Sequence, residues 1–122
     1  MTQTRLIDEI AGVGTTNAGS TVTLITATPP NNINSLVFLW VLATAAGNER
    51  ASWFRTGSIH KDGGGTITID TEADLSPSFT TNGIKHATIA SVISGASIRL
   101  DVTGDPDAGD ISWQAIARFF RS

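Results

Sequence analysis

A chain of 122 residues with 40% hydrophobic and 16% charged residues, no cysteine and a formal net charge of -3 has the size of one globular domain with a single core. The missing cysteine excludes disulfide frameworks, thiolate metal sites and cysteine nucleophiles. Eight scattered lysines and arginines make no basic stripe for nucleic acid, and the longest apolar run, Leu36 to Ala46, is about half of what a membrane-spanning helix needs.

At the N-terminus, Arg5 to Ile10 reads as a short strand, with acids where a signal peptide would carry its apolar core. Residues 11–20, Ala-Gly-Val-Gly-Thr-Thr-Asn-Ala-Gly-Ser, are small and uncharged and read as a linker. The expectation is therefore an arm and linker over residues 1–19, packed against something other than its own domain, followed by one domain over 20–122. Arg5, Leu6 and Ile7 are its candidate partner contacts.

Segment after segment from Ser20 onward is rich in Thr, Ile and Val, alternates with a period of two, and ends at Gly, Asn, Asp or Pro, the pattern of half-buried strands and their turns. Ser20 to Thr28 is a strand stopped by Pro29-Pro30-Asn31-Asn32, since proline cannot donate to a ladder. Leu36 to Thr44 is apolar on both faces. As a strand it is expected to be central and covered on both sides, with a short buried helix as the alternative. Arg50 to Lys61 and Thr66 to Asp70 form a hairpin across Asp62-Gly63-Gly64-Gly65. Glu72 to Gly83 is expected to be an irregular loop available for partner contact. Lys85 to Ser94 and Ser97 to Thr103 form a second hairpin across Gly95-Ala96.

In the last segment Ile111, Trp113, Ala115, Ala117 and Phe119 share one face, and Ser112, Gln114, Ile116, Arg118 and Phe120 share the other. Ile116 and Phe120 are out of place on a solvated face. Together with Arg118 they are the candidate oligomer interface. About eight strands at this spacing predict an all-β fold, a single antiparallel β-sandwich of jelly-roll or related Greek-key type.

Residues with the spacing of a catalytic or metal site are scarce. His60 and His86 have no second histidine at metal-ligand spacing, no nucleophile elbow is present, and Asp62 to Gly65 lacks the Lys-Ser/Thr of a phosphate loop. Asp105, Asp107 and Asp110 could serve as hard oxygen ligands, yet Asp and Pro as turn formers explain that segment without a metal. Trp40 and Trp113 fall within period-two strands and are expected in the core. Trp53, beside Ser52, Phe54 and Arg55, is balanced between core and exposed contact. No cofactor, metal or catalytic activity is expected.

Two blocks carry a resemblance. Ala51-Ser-Trp53-Phe54-Arg55-Thr-Gly57-Ser-Ile59-His-Lys61-Asp62-Gly63 and Leu100-Asp-Val102-Thr103-Gly104-Asp-Pro-Asp-Ala-Gly109-Asp-Ile111-Ser-Trp113-Gln-Ala115 resemble a pattern in virion proteins of tailed bacteriophages. There an aromatic-rich strand precedes a glycine turn, and a later hairpin closes the module. The resemblance covers roughly residues 50–121. It implies a β-sandwich structural module, often trimeric, of tail fibres and of capsid decoration (cement) proteins.

A module that starts near Met1 with a free arm resembles a cement protein more closely than a fibre. The main expectation is thus a non-enzymatic homotrimer on the capsid exterior, with the phage major capsid protein as partner. The alternative is a tail-fibre or receptor-binding module for host cell-surface glycans, with Trp53, the Glu72 to Gly83 loop and the Asp105 to Asp110 turn as contacts. An unrelated β-sandwich, a minor enzyme included, is the third reading.

Overall fold

The computed structural model describes residues 7–75 and 78–121. Arg5 and Leu6, two of the expected partner contacts, lie outside them. The described residues form nine strands: β1 (Ile7–Thr16), β2 (Thr21–Ala27), β3 (Ile33–Ala45), β4 (Glu49–Lys61), β5 (Ile67–Asp74), β6 (Phe79–Thr80), β7 (Thr88–Ser94), β8 (Ser97–Thr103) and β9 (Ile111–Arg121), with a 3-10 turn at Asn82–Ile84. All pairings are antiparallel. The large sheet has the order β1-β9-β3-β4-β5, with β6 also on β4, and the small sheet has the order β2-β8-β7. The all-β sandwich expected from the period-two pattern is the fold observed.

Turn chemistry explains the hairpins. Asp62 Oδ1 accepts from the backbone N–H groups of Gly64 and Thr66, both at 2.9 Å, and Gly65 takes a φ of +89°. This closes β4 onto β5. Between β7 and β8, Gly95 sits at φ +60° between the paired Ser94 and Ser97, the first central position of a type II′ turn.

The core lies between the sheets. Val41, Val102, Ile84 and Ile111 are fully buried, and the Trp53 and Trp113 rings stack with centroids 5.5 Å apart. Trp53 is therefore a core residue and is withdrawn as a partner contact. Inward residues alternate along β9 from Ile111 to Phe119 as the sequence predicts. At one end the buried Lys61 ammonium donates to Pro29 O at 2.7 Å and Ala96 O at 2.9 Å. It ties the β4 terminus to the turns that follow β2 and β7.

Three expectations change. Residues 7–16 are not a free arm and linker: the strand expected up to Ile10 runs on through the expected linker to Thr16 as β1 and pairs with β9 of its own domain, from Ile7↔Phe120 to Thr16↔Ile111. Glycine explains why such a small-residue segment makes a strand: a Cβ on Gly12 would stand 1.9 Å from Leu24 O, so the missing side chain lets β1 close against β2. The stretch from Glu72 to Gly83 is more ordered than a loop, because β5 continues to Asp74 and Phe79–Thr80 pairs with Ser52 and Ala51. Finally, β3 is central but covered on one side only.

Candidate functional site: the outer face of the large sheet

Along β1, β9, β3 and β4, every second residue points away from the core. The pairing register sets these outward side chains in rows. One row runs Ile7, Phe120, Leu36, Ser58; the next Glu9, Arg118, Phe38, Thr56; the third Ala11, Ile116, Trp40, Phe54; the fourth Val13, Gln114, Leu42, Ser52. Val13 is 77% exposed, Leu36 55% and Leu42 54%. Trp40, Ile116, Phe120 and Ile7 are exposed as well. Most of the exposed large apolar side chains of the described residues thus share one sheet face.

The aromatic side chains touch one another. Phe38 meets Phe120 edge to face at 5.4 Å, Trp40 meets Phe54 at 5.0 Å, and Phe38 lies 6.4 Å from Trp40. Within this patch Arg118 Nε donates to Glu9 Oε2 at 2.7 Å, and its guanidinium stands 5.7 Å from the centre of the Trp40 ring. The one ion pair of the patch among the described residues is internally neutral, and its cation is also shared with an aromatic face.

The predicted interface residues Ile116, Phe120 and Arg118 all point outward into this patch, and Ile7, the described member of the expected arm contacts, is beside Phe120. Trp40 departs from the expectation of a core residue: it is 38% exposed at the centre of the outer face. The signal available was that β3 is apolar on both faces. A central strand with no cover on one side produces the same pattern as one covered on both.

The other polar candidates are engaged within the fold. Asp105 is 1% exposed, and its carboxylate accepts from the Asp107 and His86 backbone N–H groups, both at 2.8 Å. The Asp107 bond, then the His86 bond and the nearby His86 and Lys85 charges, hold its pKa below the ordinary value against the opposing effect of burial. Its neighbour Asp107 is exposed, and among the described residues no group of three or more acidic or histidine side chains is gathered as a metal site. The structure gives this segment the role of a turn. Glu49 accepts from Thr81 Oγ1 and from Gly83 N at 2.9 Å, and these bonds, Thr81 first, lower its pKa. His60 Nδ1 lies 2.9 Å from Asp70, and Arg55 pairs with Asp74 and Glu72.

Two open clefts of about 520 and 510 Å³ flank Ser35 and Arg121 at the end of the sandwich. Ile10, Ala27, Pro29 and Phe119 make the apolar wall of the first, and Asn34, Ser58 and Asp70 line the second. The Ser35 hydroxyl is buried there without a hydrogen-bond partner among the described residues.

No family model and no curated protein matches the chain. Among solved structures it is similar to the tailspike protein of Acinetobacter baumannii phage AM24, with a TM-score of 0.45 and 8% identity over 93% of this chain and 26% of that one. It is similar to the tailspike of Acinetobacter phage vB_ApiP_P1, with a TM-score of 0.45 and 15% identity over 100% of this chain and 22% of that one. A third is tailspike gp49 of Acinetobacter baumannii bacteriophage Fri1, a capsular polysaccharide depolymerase, with a TM-score of 0.42 and 10% identity over 97% of this chain and 20% of that one. The chain spans about a quarter or less of these tailspikes. Its own two-sheet architecture rests on the strand pairing described above.

Proposed function

We propose that the chain is a virion module of a tailed bacteriophage, of tail-fibre or tailspike kind, that works by surface complementarity rather than by catalysis. The observation that carries this reading is the outer face of the large sheet. A contiguous apolar and aromatic patch with a polar surround is the mark of a protein contact surface. The resemblance of residues 51–63 and 100–115 to phage virion modules supplies the setting.

A tail position is preferred to the capsid exterior for a physical reason. The cement reading drew on a stand-alone module with a free N-terminal arm, and residues 7–16 are instead a strand of the large sheet, which takes the arm away as a support. The major capsid protein is accordingly dropped as the partner. Labelled antibody against the chain, viewed on intact virions by electron microscopy, is expected to mark the tail. Label spread over the capsid surface would overturn the tail assignment.

A second reading, recognition of host cell-surface glycans, is favoured by the clefts around Ser35. They have the size of small-ligand sites and join an apolar wall to a few polar groups, including a buried hydroxyl with no partner among the described residues. A glycan array is expected to report binding that Ser35→Leu abolishes while the fold is kept. Binding unaffected by that change, or none at all, would remove the reading.

A further inference from the structure

We infer that the outer face of the large sheet is covered by copies of this same chain, with Arg118 and Glu9 forming ion pairs across the contact. Its area is the first argument. Strands β1, β9, β3, β4 and β5 stand side by side, and β9 is 11 residues long. At about 4.8 Å between strands and 3.3 Å per residue the face measures roughly 700 Å². A stable protein contact buries about 800 Å² per partner. The face alone nearly supplies one.

Charge is the second. At the centre of the face stand Arg118 and Glu9, each about half exposed, 52% and 50%, and among the described residues its margins add Arg50 over the Phe79 ring and Asp70 beside His60, a cation and an anion that balance. Two such faces meet without a like-charge excess, and each guanidinium can take the carboxylate of the opposing copy in place of its own. Exposed, this pair contributes little. Once the face is covered, a charge without its partner becomes costly, so the two residues set which surfaces can meet.

The composition of the patch argues against a saccharide there. Recognition of hydroxyls needs free donors and acceptors beside the aromatic rings. At the centre of this patch Arg118 and Glu9 are bonded to each other, and the surrounding large residues Leu36, Leu42 and Val13 are aliphatic. Aliphatic and aromatic side chains around a neutral ion pair make a contact suited to a second surface of the same kind. This contact is independent of whether the chain belongs to a tail.

Charge reversal in separate molecules tests it. Light scattering on the whole chain at micromolar concentration is expected to give a multiple of 12.8 kDa. Arg118→Glu carries two acids at the patch and Glu9→Arg two bases, so each variant alone is expected to be a folded monomer by mass and circular dichroism. An equimolar mixture of the two is expected to regain the multimer, because opposite faces now attract. A monomeric wild type, or single variants that keep the wild-type mass, would overturn the inference. If either variant fails to fold, the double change Ile116→Ser with Phe120→Ser serves in its place: monomer is expected, and a surviving multimer overturns the contact. A tail label in microscopy with a monomeric chain would leave the virion reading standing and this one not.

Discussion

Trp113 donates its indole N–H to Thr16 Oγ1 at 2.9 Å, joining residues 97 positions apart, and both side chains are essentially inaccessible to solvent. This bond fixes the end of β1 to the core side of β9. Thr16→Val keeps the shape and removes the acceptor, which leaves a buried donor unsatisfied at a cost of about 1–3 kcal/mol. A melting temperature lowered by several degrees is expected. Thr16→Ser, which keeps the oxygen, is expected to melt closer to wild type, and equal melting of all three proteins would show that the bond contributes nothing.

Gly12 makes the close approach of β1 to β2 possible. An added Cβ would meet backbone at Leu24 O, 1.9 Å away, and not the end of a movable side chain. Gly12→Ala is therefore expected to push β1 off the sandwich and to destabilise by about 1–3 kcal/mol. In hydrogen exchange, the amides of β1 should lose protection first. Unchanged protection in β1 would count against this account.

Acid should loosen two turns. The pKa values of Asp105 and Glu49 are both lowered in the fold, while unfolded carboxylates titrate at about 3.9 and 4.3. The unfolded chain takes up these protons first as pH falls, so the stabilisation is complete above about pH 5 and is lost progressively as pH drops below 4 toward the folded values. Urea titrations at pH 7 and pH 3 should show this loss. Asp105→Asn should be less stable at pH 7, where the carboxylate no longer serves the Asp107 and His86 amides, and its pH dependence should be shallower. An equally steep dependence in the variant would assign the effect to other groups.

Trp40 and Trp53 should respond oppositely to truncation. Trp53 is 8% exposed and stacks on Trp113, so Trp53→Ala is expected to cost about 3–5 kcal/mol. Trp40 lies on the outer face, and Trp40→Ser should cost the isolated fold far less while weakening association between copies. Denaturant melts of dilute protein, set beside light scattering of concentrated protein, separate the two effects. A Trp40 variant as unstable as the Trp53 variant would mean that Trp40 acts as core.

Residue patterns carried the strands after Ser20 because their information is local. The alternation of Leu100 and Val102 against Asp101 and Thr103 reappears as the burial pattern of β8, and the Gly95 turn lies where it was expected. The segment at 7–16 was illegible for the opposite reason. Its glycines look like a linker in isolation, and they become strand residues only because Leu24 lies where a Cβ would be. The outward positions of Ile116, Phe120 and Arg118 could be read from parity on β9. The patch they belong to could not, since Trp40 and Phe38 join them through pairing between strands far apart in sequence.

The sequence by itself determined the class of fold, the two glycine hairpins, the inward face of β9 and the absence of thiol chemistry, all of which follow from residue type and a period of two. Tertiary structure alone decided that β1 continues through residues 11–16 and joins the large sheet, that Trp53 is core and Trp40 surface, and that Glu9 reaches Arg118 across 109 positions. A strand's period says which residues share a side. It does not say whether anything covers that side, because cover comes from other strands, and their order is a property of the whole chain.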